Sequence, residues 1–390
     1  MDDFFYRCKG MKKTFRGTSQ MVQQLKISEQ IDVFLSGLIV TCQFGKQAMY
    51  SFLLRILKTN FHPRAAAVLC ILVLVLPARG QQLSDTAIIY VHKEAPGVMV
   101  HVLKTAARLF LPENSISEKL SRESYISKPA AIPKKMFSGF IVDTIRISGR
   151  NVFTISPRGE KSGKYVLFLH GGAYINNVFR QHWLFAARII RETNCTVVVP
   201  DYPLAPACTY REAYVMLEAV YKHLLHVTDA KNIILLGDSA GGGLVLALSM
   251  KQRDDGIAPP SAVILLSPWL DISMTNPRIP QIQKKDVTLS AENLVLAGKA
   301  WAGNTETTNY LVSPVYGSLE GLPQISVFIG THDILLADCR KLKMAMEQQG
   351  IPMNYFEYPG LFHDWMMLGT LKESKVALSQ ICWLIMAKKL

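Results

Sequence analysis

Five short, almost uninterrupted apolar runs constrain this chain more than any other feature. They are Tyr165–Leu169, Thr196–Pro200, Asn232–Leu236, Ala262–Leu266 and Ile325–Ile329. Between them, Trp183–Thr193, Tyr210–His226 and Gly242–Gln252 carry helical patterns. A strand without a polar face must be covered on both sides, and strands alternating with helices connect in parallel. The pattern therefore predicts an α/β fold, a mostly parallel sheet with helices on both faces. Ligands in such sheets bind beyond the carboxyl ends of the strands.

The 390 residues suit one large domain with an extension, and 49% hydrophobic against 19% charged residues supplies a large core. The formal net charge of +13 raises the question of nucleic acid. No nucleic-acid motif is present, and much of the excess precedes Arg64. Residues 1–64 read as a basic extension. The uncharged run from Ala65 to Ala78, ending at Arg79-Gly80, is short for the ~20 residues of a membrane span and matches a signal peptide's apolar core. Lys46, Arg55, Lys58 and Arg64 precede it, as a cytoplasmic flank requires. Residues 65–80 are thus expected to export the chain or anchor it to a membrane. Met49 stands at a suitable distance upstream for translation to start there, which would make residues 1–48 an extension of the gene reading. The competing reading of the run is a buried helix or strand. Seven cysteines with wide spacings and no C-x-x-C pair indicate neither a disulfide framework nor a zinc site. Buried thiols are expected, with a single disulfide left open.

Gly237-Asp-Ser239-Ala-Gly241 follows the run Asn232–Leu236 and opens a helical segment. This is the G-x-S-x-G nucleophile elbow in its strand-turn-helix setting, which a bare pattern match lacks. A serine hydroxyl needs a base to take its proton, and the chain order for this arrangement is Ser, then Asp or Glu, then His. His363, in Tyr358-Pro-Gly-Leu-Phe-His363, is the expected base, and Asp333, directly after Ile325–Ile329, the expected acid. His332 should point away from Asp333 in an extended segment, and His170 reads as a loop anchor. His101, His182, His223 and His226 read as solvated or satisfied structural groups. Asp338 is the rival acid, farther from the strand end. His170-Gly171-Gly172-Ala173 follows another strand end and reads as an oxyanion loop, its Gly171 and Gly172 amides joining that of Ala240. Such donors typically contribute ~3 kcal/mol each to the transition state.

With these residues in place, the chain from about residue 164 onward resembles the hormone-sensitive-lipase-like family of α/β-hydrolase esterases. The resemblance rests on His170-Gly-Gly, Asp201-Tyr-Pro-Leu-Ala-Pro206, Gly237-Asp-Ser-Ala-Gly-Gly242, Ser267-Pro-Trp-Leu-Asp271 and the Asp333 and His363 segments, in family order. It implies an eight-stranded, mostly parallel sheet under a helical cap, and an esterase working without metal or organic cofactor. Cap and N-terminal helices would come from residues 83–140, and the catalytic domain would span 141–390 with a cap insertion at about 271–310. The departures are Ala173 in the oxyanion loop and Ala207 where an acidic residue commonly follows the Asp-Tyr-x-Leu-Ala-Pro motif.

The expected function is hydrolysis of small, apolar carboxylic esters through an acyl-enzyme. Two alternatives share the fold: a ligand-binding homologue without catalysis, which normally loses part of the triad, and an amidase or peptidase. A membrane-tethered scaffold is a third, raised only by the N-terminal region.

Overall fold

The computed structural model describes residues 87–110, 115–122 and 125–386, so the basic extension and the apolar run 65–80 lie outside the described residues. The chain starts with β1 (Ile89–Val91), α1 (Val98–Phe110) and α2 (Ser115–Leu120). It continues through β2 (Phe140–Ile147), β3 (Arg150–Pro157), β4 (Tyr165–Leu169), α3 (Arg180–Thr193), β5 (Thr196–Pro200) and α4 (Tyr210–Val227). Next come β6 (Ile233–Asp238), α5 (Ser239–Asp254), β7 (Ala262–Leu266), α6 (Ile279–Gln283) and α7 (Ala291–Ala302). The last elements are β8 (Gln324–Gly330), α8 (Leu336–Gln348), β9 (Met353–Tyr358) and α9 (Lys372–Met386).

All nine strands form one sheet in the order β1-β9-β8-β7-β6-β4-β5-β3-β2. Pairing is parallel from β1 through β5, and antiparallel at β3–β5 and β2–β3. The five apolar runs are its central strands. Their residues point alternately into two cores, which is why no polar residue interrupts them. Leu167, Leu235, Leu265 and Val327 join one core with Val220 of α4, Leu244 of α5 and Leu342 of α8. Phe168, Leu236, Leu266 and Phe328 join the other with Phe185 of α3 and Ile381 of α9.

Nine strands stand where eight are implied by the family resemblance, because the segment expected to supply only cap helices also supplies β1. This three-residue edge strand pairs with Tyr355–Glu357 of β9. Asn354 holds it there, accepting from the Ile88 amide at 3.1 Å and donating to Ser326 Oγ at 3.0 Å. The β2–β3 hairpin also precedes the point where the apolar runs begin. Its turn, Ser148-Gly149, has φ of 50° and 76°, the pair of positive values of a type I′ turn. Among the described residues, Cys195, Cys208, Cys339 and Cys382 are free. No described helix is long and apolar enough to cross a membrane.

Phe328 of β8 and Phe356 of β9 stack with centroids 4.3 Å apart and planes 2° from parallel, both buried. Phe328→Ala is expected to cost about 3–5 kcal/mol, read as a fall in the urea midpoint at unchanged slope.

Candidate active site

Strand β6 ends at Asp238 and α5 begins at Ser239, leaving no residue for a loop. The chain reverses within Ser239 itself, whose φ is +51°, in the left-handed region that side chains rarely adopt. Glycines make the turn sterically open. A Cβ on Gly237 would run into the Gly241 carbonyl, and one on Gly241 into the Leu169 carbonyl of β4. The Trp269 amide donates to the Ser239 carbonyl at 2.8 Å, so the Ser267–Asp271 motif after β7 braces the elbow.

Asp333 follows β8 and is fully buried. Its Oδ1 accepts from the Leu335 amide at 2.9 Å, and its Oδ2 lies 2.8 Å from His363 Nδ1. The imidazole's other nitrogen, Nε2, lies 2.9 Å from Ser239 Oγ. The loops carrying acid and base are stitched together. The His332 amide donates to the Leu361 carbonyl at 2.9 Å, the Thr331 amide to the Tyr358 carbonyl at 3.0 Å, and the Gly360 amide to Thr331 Oγ1 at 2.8 Å. Three residues spread over more than a hundred positions thus meet beyond the carboxyl edge of the sheet.

The His170–Ala173 loop lies against the nucleophile: a Cβ on Gly171 would come within 2.8 Å of Ser239 Cβ. Gly172 follows at φ +119°, and Ala240 is buried in the first turn of α5. His170 anchors this loop. Its Nδ1 donates to the Gly171 carbonyl at 2.7 Å, and its ring stacks on Tyr202, whose hydroxyl donates to the His170 carbonyl at 2.6 Å. Burial, helped by nearby His182, pushes His170 down to about 4, so its ring is neutral at pH 7. Asp201 before Tyr202 accepts from Asn177 at 2.7 Å and pairs with Arg150 at 3.0 Å. The Asp201–Pro206 motif therefore buttresses the His170–Ala173 loop.

The other histidines are elsewhere engaged. His182 is buried on α3, 3.0 Å from Asp238 Oδ2, and burial opposes its charge while that carboxylate more than offsets the penalty. His332 turns to Lys104 of α1, and burial together with that lysine pushes it down to about 4. His101, His223 and His226 are exposed on α1 and α4. Asp338 lies within α8, held by Asn276 at 2.8 Å, and burial raises it to about 6. One close neighbour of the imidazole is absent from the sequence reading: Asp364 Oδ2 is 3.1 Å from His363 Nε2. Its adjacency to His363 was the available signal. Burial opposes the charge of His363, but Asp364 and Asp333 outweigh it and hold the imidazole well above its ordinary value.

Among the described residues, no group of three or more His, Cys, Asp or Glu is arranged to hold a metal ion. A cavity of about 570 Å³ between β1, β9 and α8, lined by Ile89, Tyr355 and Met344, includes none of Ser239, Asp333 or His363.

The sheet, elbow and loops define an α/β-hydrolase. A family described as alpha/beta hydrolase fold matches residues 166–367, just over half of the chain, and the chain belongs to that family, on its hormone-sensitive-lipase-like side. An esterase of Acinetobacter venetianus is 32% identical over 240 residues, covering 61% of this chain and 79% of that protein. An acetyl-hydrolase of Streptomyces hygroscopicus is 28% identical over 207 residues, 53% of this chain and 69% of its own. The crystal structure of an esterase from the bacterial hormone-sensitive lipase family superimposes with a TM-score of 0.66 at 25% identity, covering 76% of this chain and 100% of that one.

Gly241→Ala places a methyl group against the backbone of β4. The expected cost is about 3 kcal/mol in chemical denaturation, with loss of turnover as the elbow opens.

Proposed function

We propose that Ser239, His363 and Asp333 carry the reaction of this chain, a serine-type carboxylic ester hydrolase, through an acyl-enzyme. The observation that carries this reading is a continuous line from nucleophile to acid, 2.9 Å from Ser239 Oγ to His363 Nε2 and 2.8 Å from Nδ1 to Asp333 Oδ2. Ser239 Oγ attacks the ester carbonyl as Nε2 takes its proton. The tetrahedral intermediate carries its negative oxygen toward the amides of Gly171 and Gly172 in the loop after β4 and that of Ala240 at the amino end of α5, where the helix dipole favours an anion. His363 then returns the proton to the leaving alcohol. Water deacylates Ser239 through the same imidazole. Asp333 keeps the proton on Nδ1, so that Nε2 presents its lone pair to the serine.

Among small esters, short acyl groups on apolar alcohols are the substrate class we favour, in keeping with relatives named esterase and acetyl-hydrolase. The cap elements from 83–140 and 271–310 shape the acyl and alcohol pockets in this reading. Their contact between α2 and α7 supports it.

Ser239→Ala is expected to lower p-nitrophenyl acetate turnover by at least about four orders of magnitude and to abolish fluorophosphonate labelling, at unchanged circular dichroism. Turnover near the wild-type level would reject the assignment, and faster cleavage of matched amides than esters would reject the ester class.

We also infer that residues 65–80 export or membrane-anchor the chain, from their lack of charge and the basic residues ahead of them. Deleting them should leave the protein in the soluble cell interior. An unchanged distribution between membrane, medium and cytosol after the deletion would defeat this inference.

A further inference from the structure

Asp364 occupies a position for which the acyl-transfer scheme has no use. Its backbone is left-handed at φ +52°, a conformation that Asp adopts occasionally because its short side chain can hydrogen-bond locally, and its predecessor is His363. The turn is anchored, with the Asp364 amide donating to Ser267 Oγ at 3.3 Å and the Met367 amide donating to the Asp364 carbonyl at 3.0 Å. Oδ2 lies 3.1 Å from His363 Nε2, while Oδ1 is buried without a hydrogen-bond partner among the described residues. Among the described residues, the imidazole is therefore the group that directly meets this carboxyl.

Nε2 is the atom that must accept the Ser239 proton, and Ser239 Oγ is 2.9 Å away from it. Nε2 has a single site in the ring plane. When that site carries a proton and faces Asp364, the pair is an ion pair and the nitrogen has no lone pair for the serine. When that proton is gone, the ring is neutral and its lone pair faces the ionised carboxylate, and repulsion favours the return of a proton. The other carboxyl groups around the pair strengthen this preference for a shared proton. Asp333 faces Nδ1 from the loop after β8, Asp238 approaches Asp364 from the end of β6, and Asp286 lies beside the Asp333 loop, bonded to the Ile334 amide at 2.8 Å. His182 of α3 lies nearby, paired with Asp238, and opposes this preference when it is protonated.

We propose that Asp364 is a positioning residue that clamps the resting His363 in an ion pair on its serine side, so that the base is restrained until the shared proton leaves. The step is a simple proton balance: the proton shared by Nε2 and Asp364 goes to solvent, and Nε2 then receives the Ser239 proton as the acyl bond forms. The raised proton affinity of His363 agrees with this arrangement, and although burial lifts Asp364 to about 6, His363 holds that rise back. A base held above its ordinary value works only once pH has risen through that value. The acid limb of kcat/KM should therefore lie above the ordinary histidine value of about 6.5.

The test is the pH profile of kcat/KM for p-nitrophenyl acetate in the full chain, comparing wild type with Asp364→Asn, which keeps the shape, and Asp364→Gly, which suits the left-handed backbone. Both variants should move the acid limb down by about one pH unit, giving about tenfold more activity on the acid side relative to their own plateaus, with plateaus within about threefold of wild type. A limb that does not move, or a lowered plateau with an unmoved limb, overturns the clamp. Nuclear magnetic resonance gives a second reading in the unmutated protein: the His363 ring proton should titrate above pH 6.5, and titration at or below that value overturns the clamp independently of any variant. The inference rests on Ser239 and His363 carrying the reaction. Retained turnover in Ser239→Ala removes that foundation, whereas an inactive Ser239→Ala beside an unmoved limb removes the clamp alone.

Discussion

The backbone of Ser239 is the constraint around which the rest is arranged. A left-handed conformation at a residue with a side chain costs on the order of 1–3 kcal/mol and persists only where its surroundings leave no alternative. Here β6 and β4 pin one side, α5 starts at once on the other, and the Trp269 amide holds the Ser239 carbonyl. The return on that strain is geometric. Oγ projects beyond the sheet edge toward His363, and the first amides of α5 lie behind it, where developing negative charge is favoured.

The central sheet was legible because each of its strands is buried on both faces. Burial on both faces demands an unbroken apolar run, and such runs alternating with helices have few ways to connect. The elbow was legible for a related reason: Gly237 and Gly241 stand where any side chain meets backbone, so the steric demand is written as two glycines around one serine. The peripheral strands carry no such mark. Strands β2 and β3 mix polar and apolar residues because part of their surface is exposed, and their turn is announced only by Ser148-Gly149. Strand β9 contains Asn354 and three residues with polar groups, yet is largely buried, since Asn354 bonds across to Ser326 and back to Ile88. Strand β1 is three residues long and is held by its backbone ladder to β9 together with that asparagine.

Buried polar groups around the elbow follow a similar division. The His170 loop could be recognised from its paired glycines, but the partners that hold it came from distant sequence. Tyr202 and Asp201 sit in a motif recognisable only by family, and His182 lies on a helix whose other buried residues are mostly apolar. Each becomes intelligible through one contact: a hydroxyl on the His170 carbonyl, a carboxylate gripping Arg150 and Asn177, an imidazole against Asp238. Contacts between residues far apart in the chain leave no periodic trace, so no window of sequence contains them.

Two carboxylates flank the His363 ring, and their surroundings assign them different work. Asp333 is fully buried, but the Leu335 amide donates to one of its oxygens while the imidazole meets the other, so its negative charge is compensated whichever state the ring is in. In the proposed mechanism, an acid that orients the ring through a full catalytic cycle needs that independence. Among the described residues Asp364 has no amide on its side chain, and the hydrogen-bond partner of its Oδ2 is the ring. A protonated His363 favours its charge, which couples the two protonation states instead of separating them. Asp338, the rival acid by chain order, faces Asn276 from α8 and has no such relation to the ring. Chain order together with nearness to a strand end favoured Asp333 over Asp338, and the hydrogen bonds separate them, since Asp333 meets the His363 ring whereas Asp338 meets Asn276.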